Sequence, residues 1–324
     1  MVVKLAEKRV KEEKEMRTMY CETLMELAEK DENVVVLDAD LMSSMGMVSF
    51  QKKYPERTFN VGIQEANMMG TAAGMSAVGL IPFAHSFGPF ATRRCFDQIF
   101  LSCGYGKLNV KITGSDPGVT AAYNGGTHMP FEDMGILRNV PNITIIEPVD
   151  STMLKDIIGQ IAYKYGVFYT RLLRKSATKI YAEGSTFEIG KAIPLRDGKD
   201  VTVFATGIMV EEALKAAEEL DKEGISVRVE NIFTLKPIDK EAIIKCAEET
   251  GAIVTAENHS ILNGLGSAVA EVVVESVPVP VERVGVEDRF GQVGPVDYLK
   301  EEYGLTYNHI ITKVRRVLER KCSK

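Results

Sequence analysis

Glu65 is a carboxylate set against an apolar run. In 59–79, FNVGIQEANMMGTAAGMSAVG, it heads a helix of small and apolar residues, and the next ionisable side chain is His85. Shielding a carboxylate from water is costly unless it is paired or protonated. Glu65 therefore suits one of two tasks: complementing a helix dipole, or sharing a proton with a ligand nitrogen. Asp38 and Asp40 close the run NVVVLDADL, a buried strand ending in polar residues. In open α/β sheets ligand groups gather at such carboxyl ends. Ser43 and Ser44 follow, able to cap the next helix or to bond a substrate anion. Phe87 and Phe90 flank Gly88-Pro89, a break that places both rings on a turn, where an aromatic covers a flat ligand ring better than it fills a core. Gly125-Gly126 before Thr127-His128 marks a loop that can bring backbone and imidazole to a ligand. Arg17, in a segment rich in Lys and Glu, reads by itself as a solvated helix charge. NGLG before an apolar helix resembles a phosphate cradle, a weak signal alone. His259 reads as a hydrogen-bonded structural histidine at a strand end.

The elements that must position these groups alternate between strand and helix. Residues 4–30 read as one helix, with Leu5, Met16, Met19, Leu24 and Leu27 as its apolar positions. Strands follow at 33–41, 59–61, 80–84, 108–116, 143–148 and 167–173, with helices after Glu65, at 131–137 and at 152–165. Ala66, Gly70, Ala73, Gly74 and Ala77 give the helix after Glu65 a small-residue face for close packing. Residues 174–199 have no sustained period and hold three Gly and a Pro, which marks a boundary. The alternation restarts at 200. The fold class is α/β, with two parallel-sheet domains: residues 1–175, a linker at 176–199, and residues 200–324.

The bulk composition narrows the function. The 324 residues are 45% hydrophobic, enough for two cores, and the net charge of −6 argues against a nucleic-acid footprint. Five scattered cysteines without CxxC spacing read as reduced thiols, not a disulfide frame or zinc site. The charged N-terminal stretch and the lack of a membrane-length apolar run point to a soluble, cytoplasmic protein.

In this order the segments NVGIQEANMMG, PFAHSFGPF, NGGTH, YTRLLRK and VGVEDRFGQVG span nearly the whole chain, and their spacing resembles the transketolase family of thiamine diphosphate enzymes. The resemblance covers that family's pyrimidine-binding and C-terminal domains. It implies that Glu65 bonds N1′ of the aminopyrimidine and activates the cofactor's ylid. It implies that Phe90 stacks on the pyrimidine, that Phe87 lines the same wall and that Asp40 lies near the cofactor. His128 would act in proton transfer near the substrate. Arg17, Ser44 and Arg171 would hold the substrate phosphate, so the resemblance overrides the solvated reading of Arg17. Asp116 and Asn124 would also face substrate, yet both depart from the family: Asp116 stands where the family has a phosphate-binding His, and Asn124 where it has an Asp that reads a donor hydroxyl. An Asp beside a phosphate is repulsive unless compensated. The resemblance therefore implies ketol transfer from a ketose that is either a phosphate or a modified sugar, branched or sulfonated, to an aldose acceptor.

The family's Gly-Asp-Gly motif and downstream Asn, which hold the diphosphate and a Mg or Ca ion, do not occur in this sequence. The resemblance thus implies the C-terminal subunit of a split transketolase, paired with a diphosphate-binding partner subunit as a dimer of heterodimers. Open alternatives are the β subunit of a 2-oxo acid dehydrogenase, half of a deoxyxylulose phosphate synthase, and, in another class, a non-catalytic regulatory or assembly partner.

Overall fold

The computed structural model describes residues 1–322. In chain order the first half comprises α1 (Met16–Lys30), β1 (Val34–Asp38), α2 (Val48–Lys53), β2 (Thr58–Asn60), α3 (Glu65–Ala77), β3 (Ile81–Phe87), α4 (Gly88–Ala91), α5 (Phe96–Gln98), β4 (Lys111–Ser115), α6 (Asp133–Leu137), β5 (Thr144–Ile146), α7 (Ser151–Tyr163) and β6 (Phe168–Leu172). The second half comprises β7 (Ile193–Arg196), β8 (Val201–Ala205), α8 (Met209–Asp221), β9 (Val227–Asn231), β10 (Thr234–Lys236), α9 (Lys240–Thr250), β11 (Ile253–Ser260), α10 (Leu265–Glu275), β12 (Val281–Val286), α11 (Val296–Glu302) and α12 (Tyr307–Cys322).

Two sheets result, in the orders β10-β5-β6-β4-β3-β1-β2 and β12-β11-β8-β9-β7. The central strands are parallel and covered on both faces, so β1, β4, β6 and β8 are buried along their whole length. The purely parallel expectation needs one amendment: each sheet has an antiparallel edge strand, β10 on β5 and β7 on β9. β10 comes from the second half of the chain, yet it pairs in the first sheet. β2 lies on one side of β1 and β3 on the other, which makes the gap between β1 and β3 a topological switch point.

The helix expected over 4–30 begins only at Met16. Residues 2–12 instead run extended and antiparallel to 177–186, with Ala6 N–H donating to Ile180 O and Lys179 N–H to Val10 O. Lys and Glu are good helix formers, but here backbone pairing with the linker decides. From Met16 the burial of Tyr20, Leu24 and Leu27 follows a helical stripe against the sheet. α6 is likewise shorter than expected, starting at Asp133. Caps are conventional: Asp150 accepts from Met153 N–H on α7, Asp239 from Ala242 N–H on α9, and α9 ends at left-handed Gly251.

Candidate active site

The chemistry-bearing residues collect at the carboxyl ends of β1, β3, β4 and β6. Glu65 is the first residue of α3 and is 1% exposed. Its Oε1 accepts from Ser86 Oγ at 3.2 Å, and its Oε2 accepts from Arg94 NH1 at 2.6 Å. Arg94 also lies over the Phe90 ring, 3.9 Å from its centroid. A planar cation thus touches an aromatic face and a buried carboxylate together. A flat, protonatable nitrogen ring would make the same two contacts, so the residues present fit an aminopyrimidine. Arg94 is 42% exposed in its side chain and has room to move aside.

Phe87 ends β3, and Phe90 follows one turn later in α4, their rings 6.2 Å apart. His128 stands edge-on to both, at 5.7 and 5.1 Å. Its Nδ1 lies 2.9 Å from Thr127 Oγ1. Glycine is required at 88, where a Cβ would lie 2.6 Å from Pro130 Cγ, and this tight approach fixes the turn that carries both rings. At 126 a Cβ would lie 2.2 Å from Gly291 O, so the second domain packs directly on the loop that carries His128. Asn258 of β11 braces the same region, donating to Pro117 O at 2.7 Å and accepting from Val119 N–H at 3.0 Å.

Asp116 follows β4 with φ +61, a conformation non-glycine residues rarely adopt. It is 1% exposed and accepts from Ser115 Oγ and from Arg174 Nε, at 2.9 and 3.0 Å. Burial pushes its carboxyl pKa up, and the Arg174 guanidinium opposes that. Arg174 also lies 5.2 Å from the Phe87 ring centroid. Arg17 donates to Ser44 O at 2.7 Å and pairs with Glu15 at 2.5 Å, and its charge reaches Asp116. Ser44 is thus beside Arg17 but through its backbone. Asp40, also at positive φ, is exposed, its N–H held by Asn60 Oδ1. Asn124 is exposed next to the strained backbone of Ala122.

Arg171 must be reassigned. It lies within β6 and is 0% exposed. Its guanidinium donates to Asp133 at 2.8 Å, Glu147 at 2.9 Å and Pro130 O at 2.8 Å. Burial works against its charge, but Asp133 and Glu147 outweigh it, so the proton is held more tightly than usual. Tyr169 donates to Asp133 as well. Fully enclosed, it presents no donor to a substrate at the surface of the site, and Arg174, three residues on, is the cation beside the aromatic wall. Sequence reading missed Arg174, Arg94 and Ser86; the paired Arg93-Arg94 after the turn aromatics was the available signal.

The phosphate-cradle signal of NGLG is accounted for internally. Leu265 and Gly266 N–H at the start of α10 donate to the buried Glu257 carboxylate at 2.6 and 2.8 Å. Burial raises Glu257 to about 7. His259 is structural: Nε2 accepts from Gly135 N–H at 3.2 Å, so Nδ1 carries the proton toward Ser260 O at 2.7 Å. Burial lowers it to about 4.

The transketolase pyrimidine-binding domain family matches residues 12–177, and the transketolase C-terminal domain family matches residues 190–310. The chain belongs to the transketolase family. It is 53% identical to the 6-deoxy-6-sulfo-D-fructose transketolase subunit SqwH of Clostridium sp. (strain MSTE9), over 96% of each chain. It is 43% identical to a putative transketolase C-terminal section of Methanocaldococcus jannaschii, over 95% of this chain and 98% of that one. Among solved structures, a split gene transketolase described as an inactive beta4 tetramer superposes with a TM-score of 0.87 at 43% identity, over 95% of this chain and 99% of the other. Among the described residues, no helix is long and apolar enough to cross a membrane.

Proposed function

We propose that this chain is the pyrimidine-binding and C-terminal subunit of a two-subunit transketolase, which moves a two-carbon ketol unit from a ketose with an anionic tail to an aldehyde acceptor. The observation that carries this reading is Glu65, buried at the head of α3 and opening through Arg94 onto the face of Phe90. Thiamine diphosphate, when bound, supplies the nucleophilic carbon and electron sink that the side chains lack. Glu65, buried at the head of α3, would hydrogen-bond the ring nitrogen. Phe90 offers its face to the pyrimidine and Phe87 closes the wall. His128, edge-on to both rings, donates or accepts a proton at the substrate oxygens. Residues 1–175 carry this wall, and residues 200–324 brace it through Asn258 and Gly291.

A separately encoded subunit supplies the diphosphate site and its Mg or Ca ion, and the pair assembles as a dimer of heterodimers. The inactive homotetramer described for a relative supports the need for that partner. The relative that acts on 6-deoxy-6-sulfo-D-fructose supports a sulfonated ketose as donor. The test is reconstitution with the co-purified partner and thiamine diphosphate, followed by ketol transfer from a panel of ketoses. Release of CO₂ from a 2-oxo acid without ketol transfer would overturn the reading in favour of a dehydrogenase or deoxyxylulose phosphate synthase component.

A further inference from the structure

We infer that Asp116 sets the charge accepted at the substrate tail, favouring a monoanionic headgroup, a sulfonate, over a dianionic phosphate. This rests on the ketol-transfer reading above and names the residue that would choose among its donors.

The residue is held rigidly. Asp116 N–H donates to Leu172 O at 3.1 Å, its side chain is fixed by Ser115 and Arg174, and its backbone sits at φ +61. A carboxylate so held cannot turn away when an anion arrives. Its partner Arg174 is the exposed side of the pair, 17% against 2% in side-chain accessibility, and reaches Phe87 on the site wall. An anion approaching along that wall meets Arg174 first, with Asp116 directly behind.

The surrounding charges are nearly balanced. Arg17 is paired with Glu15, and Lys175 with the same Glu15. Arg17, Arg174 and Lys175 therefore face Asp116 and Glu15, one positive charge in excess. A sulfonate carries a single negative charge and neutralises that excess. A phosphate monoester at pH 8 carries close to two, its second pKa being about 6. Its second charge has no free cation and lies near a buried carboxylate in a poorly screened site, where like charges disfavour binding. The family resemblance implies a phosphate-binding histidine at this position, so an aspartate there would remove a donor and add a negative charge together.

The experiment uses the assembled complex with its partner subunit and thiamine diphosphate at pH 8, with uncharged D-glyceraldehyde as acceptor, so that every donor gives xylulose and its own shortened aldose. Donors are 6-deoxy-6-sulfo-D-fructose, D-fructose 6-phosphate and uncharged L-erythrulose. The wild-type complex is expected to prefer the sulfonate over the phosphate in kcat/KM. Asp116→Asn should lower that ratio by about tenfold, chiefly through a lower KM for the phosphate, as befits one unit charge at a partly screened distance. Arg174→Gln, which exposes the carboxylate, should move the ratio the opposite way, and it keeps the test alive if Asp116→Asn does not fold. A ratio that neither variant moves, or a wild-type preference for the phosphate, overturns the inference while leaving ketol transfer standing. Absence of transfer from all three ketoses overturns the functional reading and this inference with it.

Discussion

Replacing Arg171 by Leu should unfold the protein far more readily without touching substrate recognition. The guanidinium is fully enclosed and donates to two carboxylates and a carbonyl. Leucine leaves Asp133 and Glu147 buried without their cation, and breaking a buried pair from one side costs about 3–5 kcal/mol. The stranded Pro130 carbonyl adds about 1 kcal/mol, and protonation of a carboxylate returns part of the loss. A net cost of about 4 kcal/mol corresponds to a melting point lower by about 6 °C in a chain of this size. Burial already raises the Glu147 carboxyl pKa and Arg171 opposes that, so without Arg171 it rises further, and stability is retained at low pH and lost as pH rises through the new value. The deficit should therefore be larger at pH 8 than at pH 5.5, and Arg171→Leu combined with Glu147→Gln should recover part of it. Thermal melts followed by far-ultraviolet circular dichroism at the two pH values read both effects. An unchanged melt accompanied by a raised KM for charged ketoses would refute the reasoning and return Arg171 to the substrate.

Three further outcomes are expected. Glu65→Gln should lower ketol transfer by the reconstituted pair at least a hundredfold while subunit assembly, read by light scattering, is unchanged; a normal rate would end the assignment of Glu65. Arg94→Ala should tighten thiamine diphosphate binding severalfold in calorimetry, because the ring no longer displaces a stacked, paired guanidinium; weaker binding would show instead that Arg94 helps hold the ring. His259 has its pKa lowered by burial to about 4 from 6.5, so its contribution to stability is full above about pH 6.5 and lost as pH falls toward 4. His259→Gln, which keeps an acceptor for Gly135 N–H, should flatten that part of the denaturant-midpoint profile, and an unchanged slope would sink the assignment.

The strands that build the site are legible because VVVLD, IPFAHSF and KITGS are apolar runs of strand length with polar ends. Glu65 stands out for the same reason inverted, as a lone charge beside an uncharged helix. Local pattern fails where long-range pairing decides. Lys and Glu interleaved over 4–15 suit a helix, yet the backbone there is committed to the linker segment 177–186. Arg171 and Arg174 flank the end of one strand, and periodicity alone does not say which meets Asp133 and which meets Asp116. β10 was unreadable because three residues carry no period, and their partner strand lies in the other half of the chain. Asn258, deep in a strand, gives no sign that it braces a loop more than a hundred residues away.

β10 has a consequence for how such a chain can change over generations. Its pairing with β5 means that the second half completes the sheet of the first, while the N-terminal segment is stitched to the linker between them. Recombination at the compositional boundary near residue 176 would part strands that share hydrogen bonds and expose an edge on β5. Exchanging one half for another would thus leave β5 without its partner strand, whereas a point substitution leaves both sheets intact.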